Sequence, residues 1–278
     1  MLGLMILLFM MLSLDVGLDL IVVCVVIIHP FSMSNAIVVV AVSRLSLSLF
    51  WLKRPTHGNL SKLEFLQVWI REKLQGRVPV PEVFGWAEDQ GQIFIYMDLI
   101  DGDPLNERWP SMMTEERLGI CAELRSAVSA WRDLRQDEGA CYVGSINKQP
   151  LTDIFFTLNM RVVGPFEGED AVKQFQDAMH IDVAHPGPVV FTHNDFVACN
   201  ILVAKNSPSI AAIIDWGQSG WFPAYWEYCK ARYVNVPDDR FFKNYEKEWE
   251  QEYLPQIIGS VDEAEVWYPF LFFALSKI

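Results

Sequence analysis

Asp195, Asn200 and Asp215 are set among short apolar runs in the stretch 189–223 (VVFTHNDFVACNILVAKNSPSIAAIIDWGQSGWFP). Asp195 closes the segment Thr192-His193-Asn194-Asp195, Asn200 follows five residues later, and Asp215 ends the run 210–214. These side chains offer hard oxygen atoms, the ligands that a magnesium ion prefers, and a carboxylate can take the proton of a hydroxyl. That combination suits phosphoryl transfer, in which charge is spread over several oxygens and has to be held in place.

The elements that must position these groups are legible around them. The runs 189–191, 201–203 and 210–214 are short, rich in β-branched residues and bounded by turn formers, so they read as strands. The turn at 205–208 makes the last two a hairpin. Asp195, Asn200 and Asp215 therefore sit on a loop or a strand end, where a rigid scaffold can hold chemistry. His193 has no partner at metal-ligand spacing and reads as a brace for the loop. Cys199 reads as a passive small residue.

The order His-x-Asp, Asn five residues after the Asp, then Asp-Trp-Gly is similar to the catalytic loop and metal-binding segment of kinases. With Asn200-Ile201-Leu202-Val203, Ile213-Ile214-Asp215-Trp216, Gly220-Trp221-Phe222-Pro223 and Trp226-Glu227-Tyr228, the stretch resembles the aminoglycoside phosphotransferase family. It departs from that pattern at Asn194, where Gly is usual, at Phe196 for Leu, and at Gly217 for Glu. The resemblance implies an α+β, two-lobed protein-kinase-like fold, with a small β-rich N-lobe and a larger, mainly helical C-lobe. It implies ATP and Mg²⁺ as cofactors, a small-molecule hydroxyl as acceptor, Asp195 as the catalytic residue, and Asn200 and Asp215 as metal ligands. It spans residue 45 to the C-terminus, giving an N-lobe over 45–100 and a C-lobe over 101–278.

In the N-lobe, 45–53 (LSLSLFWLK) begins by alternating apolar residues with Ser, as a two-faced strand does. Lys53 closes it. By the resemblance, Lys53 holds the nucleotide phosphates and Glu64 braces it. Two plainer readings compete: a charged strand end for Lys53, and a capping box with Ser61 for Glu64. The stretch 61–74 has the apolar spacing of an amphipathic helix, Val78-Pro79-Val80-Pro81 is a stiff extended linker, and a hairpin turns around 88–91. The strand from Ile93 to Ile100 would run into a hinge. By the resemblance, the main chain of Asp98, Leu99 and Ile100 contacts the adenine ring.

Residues 1–44 differ from the rest. They are almost wholly apolar, contain Asp15 and Asp19, and have no basic side chain before Arg44. Three readings compete: a membrane anchor, apolar strands of the small lobe, and non-native sequence. The last two together are favoured, because by the resemblance the small lobe should start here with a glycine-containing loop, and membrane insertion of two aspartates is costly. Gly3 and Gly17 are the only glycines before Gly58, so the glycine loop of the family has no counterpart and the N-lobe reads as incomplete. That leaves a second functional reading open, a pseudokinase-like binding or scaffold protein.

In the C-lobe, 114–136 reads as a long helix with Leu118, Cys121, Leu124, Val128, Trp131 and Leu134 facing the core. A further helix spans 168–179, and Pro223 opens another at its first turn. A net charge of −13 argues against nucleic acid, since phosphate contact needs clusters of Lys and Arg. Five scattered cysteines without a C-x-x-C pair suggest a reducing, cytoplasmic compartment.

Overall fold

The structure, a computed structural model, describes residues 36–42, 47–53, 61–89, 92–136, 139, 141–157, 163–233 and 245–276. For 36–42, 47–53, 61–65, 86–89, 92–94 and 246 it describes the main chain alone. The chain divides into two units, Met1–Val68 with Pro81–Ile100, and Trp69–Val80 with Asp101–Ile278.

In the first unit, β1 (Ala36–Val42), β2 (Leu47–Lys53), β3 (Val83–Asp89) and β4 (Gln92–Asp98) form one antiparallel sheet in the order β1-β2-β4-β3. The sequence of β1, AIVVVAV, is dense in β-branched residues, which fit a pleated surface. Residues 36–42 thus take the strand reading of the apolar N-terminal segment, whereas residues 1–35 lie outside the described residues. In β3 the register shifts between Val83 and Gly85, and Val83 packs on buried Ile95 and Met97 of β4. Helix α1 spans Ser61–Leu74, and Gln67 in it donates to the Pro81 carbonyl at 3.2 Å.

Among the described residues, the second unit contains three small sheets. β5 (Gly102–Pro104) precedes helices α2 (Leu105–Arg108) and α3 (Thr114–Arg132). Helix α3 stops at Arg132, four residues before the expected end, and Leu118 is 45% exposed rather than in the core. Arg117 takes the inward place instead: its guanidinium lies 5.1 Å from the Trp109 ring and bonds Glu248 at 3.0 Å. From Ile120 to Trp131 the apolar stripe is buried as its spacing predicts.

β6 (Tyr142–Val143), α4 (Ile154–Thr157), β7 (Phe166–Glu167) and α5 (Ala171–Met179) follow. Helix α5 begins three residues later than expected, because Gly168 has φ +99° and cannot continue a helix. β8 (Val189–Thr192), β9 (Ile201–Ala204), β10 (Ile210–Ile213) and β11 (Gly220–Pro223) carry the site. β9 sits between β10 and β5, and β8 pairs with β11.

Pro223 closes β11 opposite Val189 and does not open the next helix, α6 (Tyr225–Tyr233). A proline is tolerated at a strand end, and here the next N–H, that of Ala224, bonds the Pro188 carbonyl at 2.9 Å. The chain ends with α7 (Glu246–Glu248), α8 (Leu254–Ile258) and α9 (Tyr268–Leu275).

Trp226, fully buried, anchors the core of this unit. It stacks on Phe222 and meets Phe175 and Phe270 edge-on. Trp249, Tyr253 and Trp267 toward the C-terminus are also buried, whereas Tyr268 is 48% exposed. Among the described residues, no helix is long and apolar enough to cross a membrane.

Candidate active site

Two turns meet beside the β8–β11 ladder, in which Thr192 lies opposite Gly220. The first leaves β8 through His193, Asn194 and Asp195 and enters β9 after a short 3-10 turn, Ala198–Asn200. The second leaves β10 through Ile214 and Asp215 and enters β11 after the 3-10 turn Trp216–Gln218. The apolar ends of the strands are buried, while Asp195 and Asp215 remain partly exposed. A buried scaffold thus presents two carboxylates at its margin.

His193, with no exposed surface, connects the two turns. Its Nδ1 accepts the Asp195 N–H at 3.2 Å, and its Nε2 lies 3.0 Å from the Ile214 carbonyl. An amide must donate and a carbonyl must accept, so these partners select the neutral Nε2–H tautomer. Trp216 packs on the ring with centroids 4.3 Å apart. The role of brace expected for this histidine is the one its contacts describe.

Asn200 adds a second connection. Its Nδ2 donates to the Asp195 carbonyl at 2.9 Å, and its own carbonyl accepts the Ile214 N–H at 2.9 Å. With the amide nitrogen committed, the carboxamide presents Oδ1 as its acceptor, and that oxygen receives the Cys199 thiol, a weak donor, at 3.8 Å. A hard carboxamide oxygen and the Asp215 carboxylate are a donor set that fits Mg²⁺. Among the described residues, no group of three or more His, Cys, Asp and Glu is arranged to hold a metal.

Asn194 and Asp215 both adopt left-handed backbone, with φ of +64° and +59°. Asparagine and aspartate are the non-glycine residues that enter this region most readily. Asn194 therefore meets the backbone demand for which glycine is usual here. Its side chain also makes contacts that a glycine has no means to make: Nδ2 donates to Asp153 Oδ2 at 2.7 Å and to the Gln218 carbonyl at 3.1 Å.

Beneath the first turn lie three charged residues that sequence reasoning did not assign to the site. Glu227 Oε1 accepts the N–H groups of His193 at 2.6 Å and Asn194 at 3.3 Å, and Oε2 accepts the Trp131 indole N–H at 3.3 Å. Burial raises its carboxyl above the usual carboxylate range, against the opposing pull of Arg132 and the His193 N–H. Asp153 and Lys230 form an ion pair at 2.9 Å with 0% and 1% exposure. Each of these charges interrupts an aromatic or apolar run, and a charge so placed has to be paired if it is buried. That interruption was the available signal.

The first unit carries Lys53, Glu64, Asp98, Leu99 and Ile100. Lys53 ends β2 opposite Ile93, and Glu64 lies in the first turn of α1. The side chains of Lys53 and Glu64 lie outside the described residues. β4 ends at Asp98, whose N–H is donated to the Glu82 carbonyl at 2.9 Å, and its Oδ2 accepts the Glu82 N–H at 3.0 Å. Leu99 and Ile100 follow without regular structure and are half-buried.

Residues 50–257 match the phosphotransferase enzyme family. No curated protein matches the sequence. Among solved structures, an aminoglycoside-3'-phosphotransferase of type VIII superposes with a TM-score of 0.53 at 15% identity, covering 90% of this chain and 93% of that one. The aminoglycoside phosphotransferase APH(3'')-Id of Streptomyces rimosus superposes with a TM-score of 0.48 at 13% identity, covering 88% and 91%. The α+β, protein-kinase-like fold expected from the sequence is therefore the fold of this protein.

Proposed function

The chain belongs to the phosphotransferase enzyme family, and from that premise we propose that it transfers the γ-phosphate of ATP to a hydroxyl group of a small molecule. The observation that carries this reading is the frame in which His193 and Asn200 bind the main chain of Asp195 on one side and of Ile214, next to Asp215, on the other. Phosphoryl transfer asks a protein for positioning and charge stabilisation more than for covalent chemistry.

In this reading Asp195 orients the acceptor hydroxyl and takes its proton. Partial exposure leaves it within reach of a substrate, and its backbone is held at both the N–H and the carbonyl. Asn200 and Asp215 would hold Mg²⁺, which prefers hard oxygen ligands such as theirs. The bound ion supplies neutralisation of the charge on the transferring phosphate. Lys53, braced by Glu64, would hold the phosphates, and the main chain of Asp98 to Ile100 would receive the adenine. The acceptor is a small hydroxyl compound; nothing in the residues narrows it to an aminoglycoside, because fold does not fix substrate. The five cysteines are scattered with no C-x-x-C pair, which favours a reducing, cytoplasmic place of action.

Thermal unfolding with and without Mg²⁺-ATP, with Asp215→Ala as control, tests the reading. A ligand that binds the native state raises its midpoint. A metal-dependent rise that is lost in the variant supports the nucleotide site. No rise in folded protein would favour a binding or scaffold role without catalysis.

A further inference from the structure

Asp153 collects four hydrogen bonds beside the site. Its Oδ2 accepts from Asn194 Nδ2 at 2.7 Å, Lys230 Nζ at 2.9 Å and the Trp226 indole at 3.2 Å, while Oδ1 accepts the Phe155 N–H at 2.8 Å. Lys230 also donates to Gln218 Oε1 at 2.7 Å, and that same oxygen accepts the Ile154 N–H at 2.8 Å. Thr152 donates to the Gly217 carbonyl at 2.8 Å. The segment 152–154 is thereby fastened to both turns of the site. One attachment is Asn194, immediately before Asp195. The others are Gly217 and Gln218, in the 3-10 turn that Asp215 caps.

A buried ion pair contributes little net stability, because desolvation offsets most of the attraction. What it supplies here is direction. Lys230 and Asp153 draw Asn194 and Gln218 toward one point, and through them they set the two left-handed residues that the site depends on. Asn194 is suited to this: its backbone alone would admit glycine, but only its amide reaches Asp153 and the Gln218 carbonyl together.

We propose that Asp153 and Lys230, acting through Asn194 and Gln218, are positioning residues that fix the Asp215 carboxylate relative to the Asp195 turn for Mg²⁺-nucleotide binding. The inference rests on the phosphotransferase reading above. It assigns to this chain's Asn194 a task that a glycine at this place does not perform.

The test is a Mg²⁺ titration at fixed ATP, read as the rise in unfolding midpoint, for the full chain and for Asn194→Gly and Lys230→Met. Asn194→Gly keeps a backbone free to adopt φ of +64° and deletes only the amide. It is expected to stay folded and to need about ten-fold more Mg²⁺ for half of the rise, the lower end of effects seen when groups supporting a metal ligand are removed. Lys230→Met, if it folds, is expected to move the same midpoint in the same direction. An unchanged Mg²⁺ requirement in Asn194→Gly, even with a lower melting temperature, would overturn the positioning role and leave the functional reading standing. A wild-type protein with no Mg²⁺-dependent rise would overturn the functional reading and the positioning role together.

Discussion

Glu227 and His193 are joined across 34 residues of sequence: the Glu227 carboxylate accepts the His193 N–H at 2.6 Å. The same oxygen accepts the Asn194 N–H, and neither amide has access to water in its place. Glu227→Ala would strand two main-chain donors and the Trp131 indole, at a cost of about 3–5 kcal/mol. Glu227→Gln, which preserves one acceptor, is expected to cost less than half as much. Urea denaturation of the two variants measures the difference.

Asp195 and Asp215 are expected to separate by assay. Asp195→Asn should retain the Mg²⁺-ATP stabilisation, because its backbone contacts do not use the carboxylate. With an acceptor in hand it should lower turnover by about 10²–10⁴-fold, the usual range for loss of a general base. Asp215→Ala should abolish the stabilisation itself. Parallel melting curves and ATP-consumption rates decide this, and equal loss of binding in both variants would contradict the division of roles.

Alkaline pH should weaken the fold. Burial pushes the Cys121 thiol up to about 12, and Cys229 and the Tyr225 hydroxyl are also raised by burial. The unfolded chain then releases the Cys121 proton from about pH 9 upward while the folded chain keeps it, so the unfolded state binds fewer protons and stability falls as pH rises. The slope is at most about 1.4 kcal/mol per pH unit for each such thiol. Melting temperature should drop between pH 8 and 11, and Cys121→Ala should show a shallower drop than the parent.

Gly220→Ala probes the ladder that brings the two turns together. A Cβ at this position would stand 2.9 Å from the Gly144 carbonyl oxygen and 3.4 Å from Ser145, both main-chain neighbours with little freedom to move. Gly144 and Trp221 also exchange two main-chain hydrogen bonds, at 3.1 and 2.8 Å, which the intrusion would spread. A loss of about 1–3 kcal/mol is expected, measurable by chemical denaturation. A neutral result would mean that the 144–145 segment yields.

The strands around the site were readable because their signals are local: β-branched runs closed by Asn, Ser, Pro and Asp place β8, β9 and β10 to within one residue. Helix α1 was readable for the same reason. The order of Asp195, Asn200 and Asp215 was legible as two turns between strands, and the structure has those turns. What the sequence hid was pairing between distant positions. Nothing local in TDIFF says that Asp153 meets Lys230 across 77 residues, or that Leu118 yields its inward place to Arg117 because Glu248 and Trp109 wait there. Pro223 carried a helix-start signal, and pairing with Val189 overrode it.

The β8–β11 ladder also makes the site separable in a way that its local turns would not suggest. Thr192 donates to the Gly220 carbonyl across 28 residues, and between those ladder strands the chain runs out through the β9–β10 hairpin, whose turn residues 205–208 are exposed. A backbone break in that turn would leave Asp195 and Asn200 on one polypeptide and Asp215 on the other, with main-chain pairing across two ladders still holding them in register. Two fragments meeting at 206 and 207 are thus expected to reassociate into a whole, and the protein should lend itself to complementation as a split reporter or to new termini placed there.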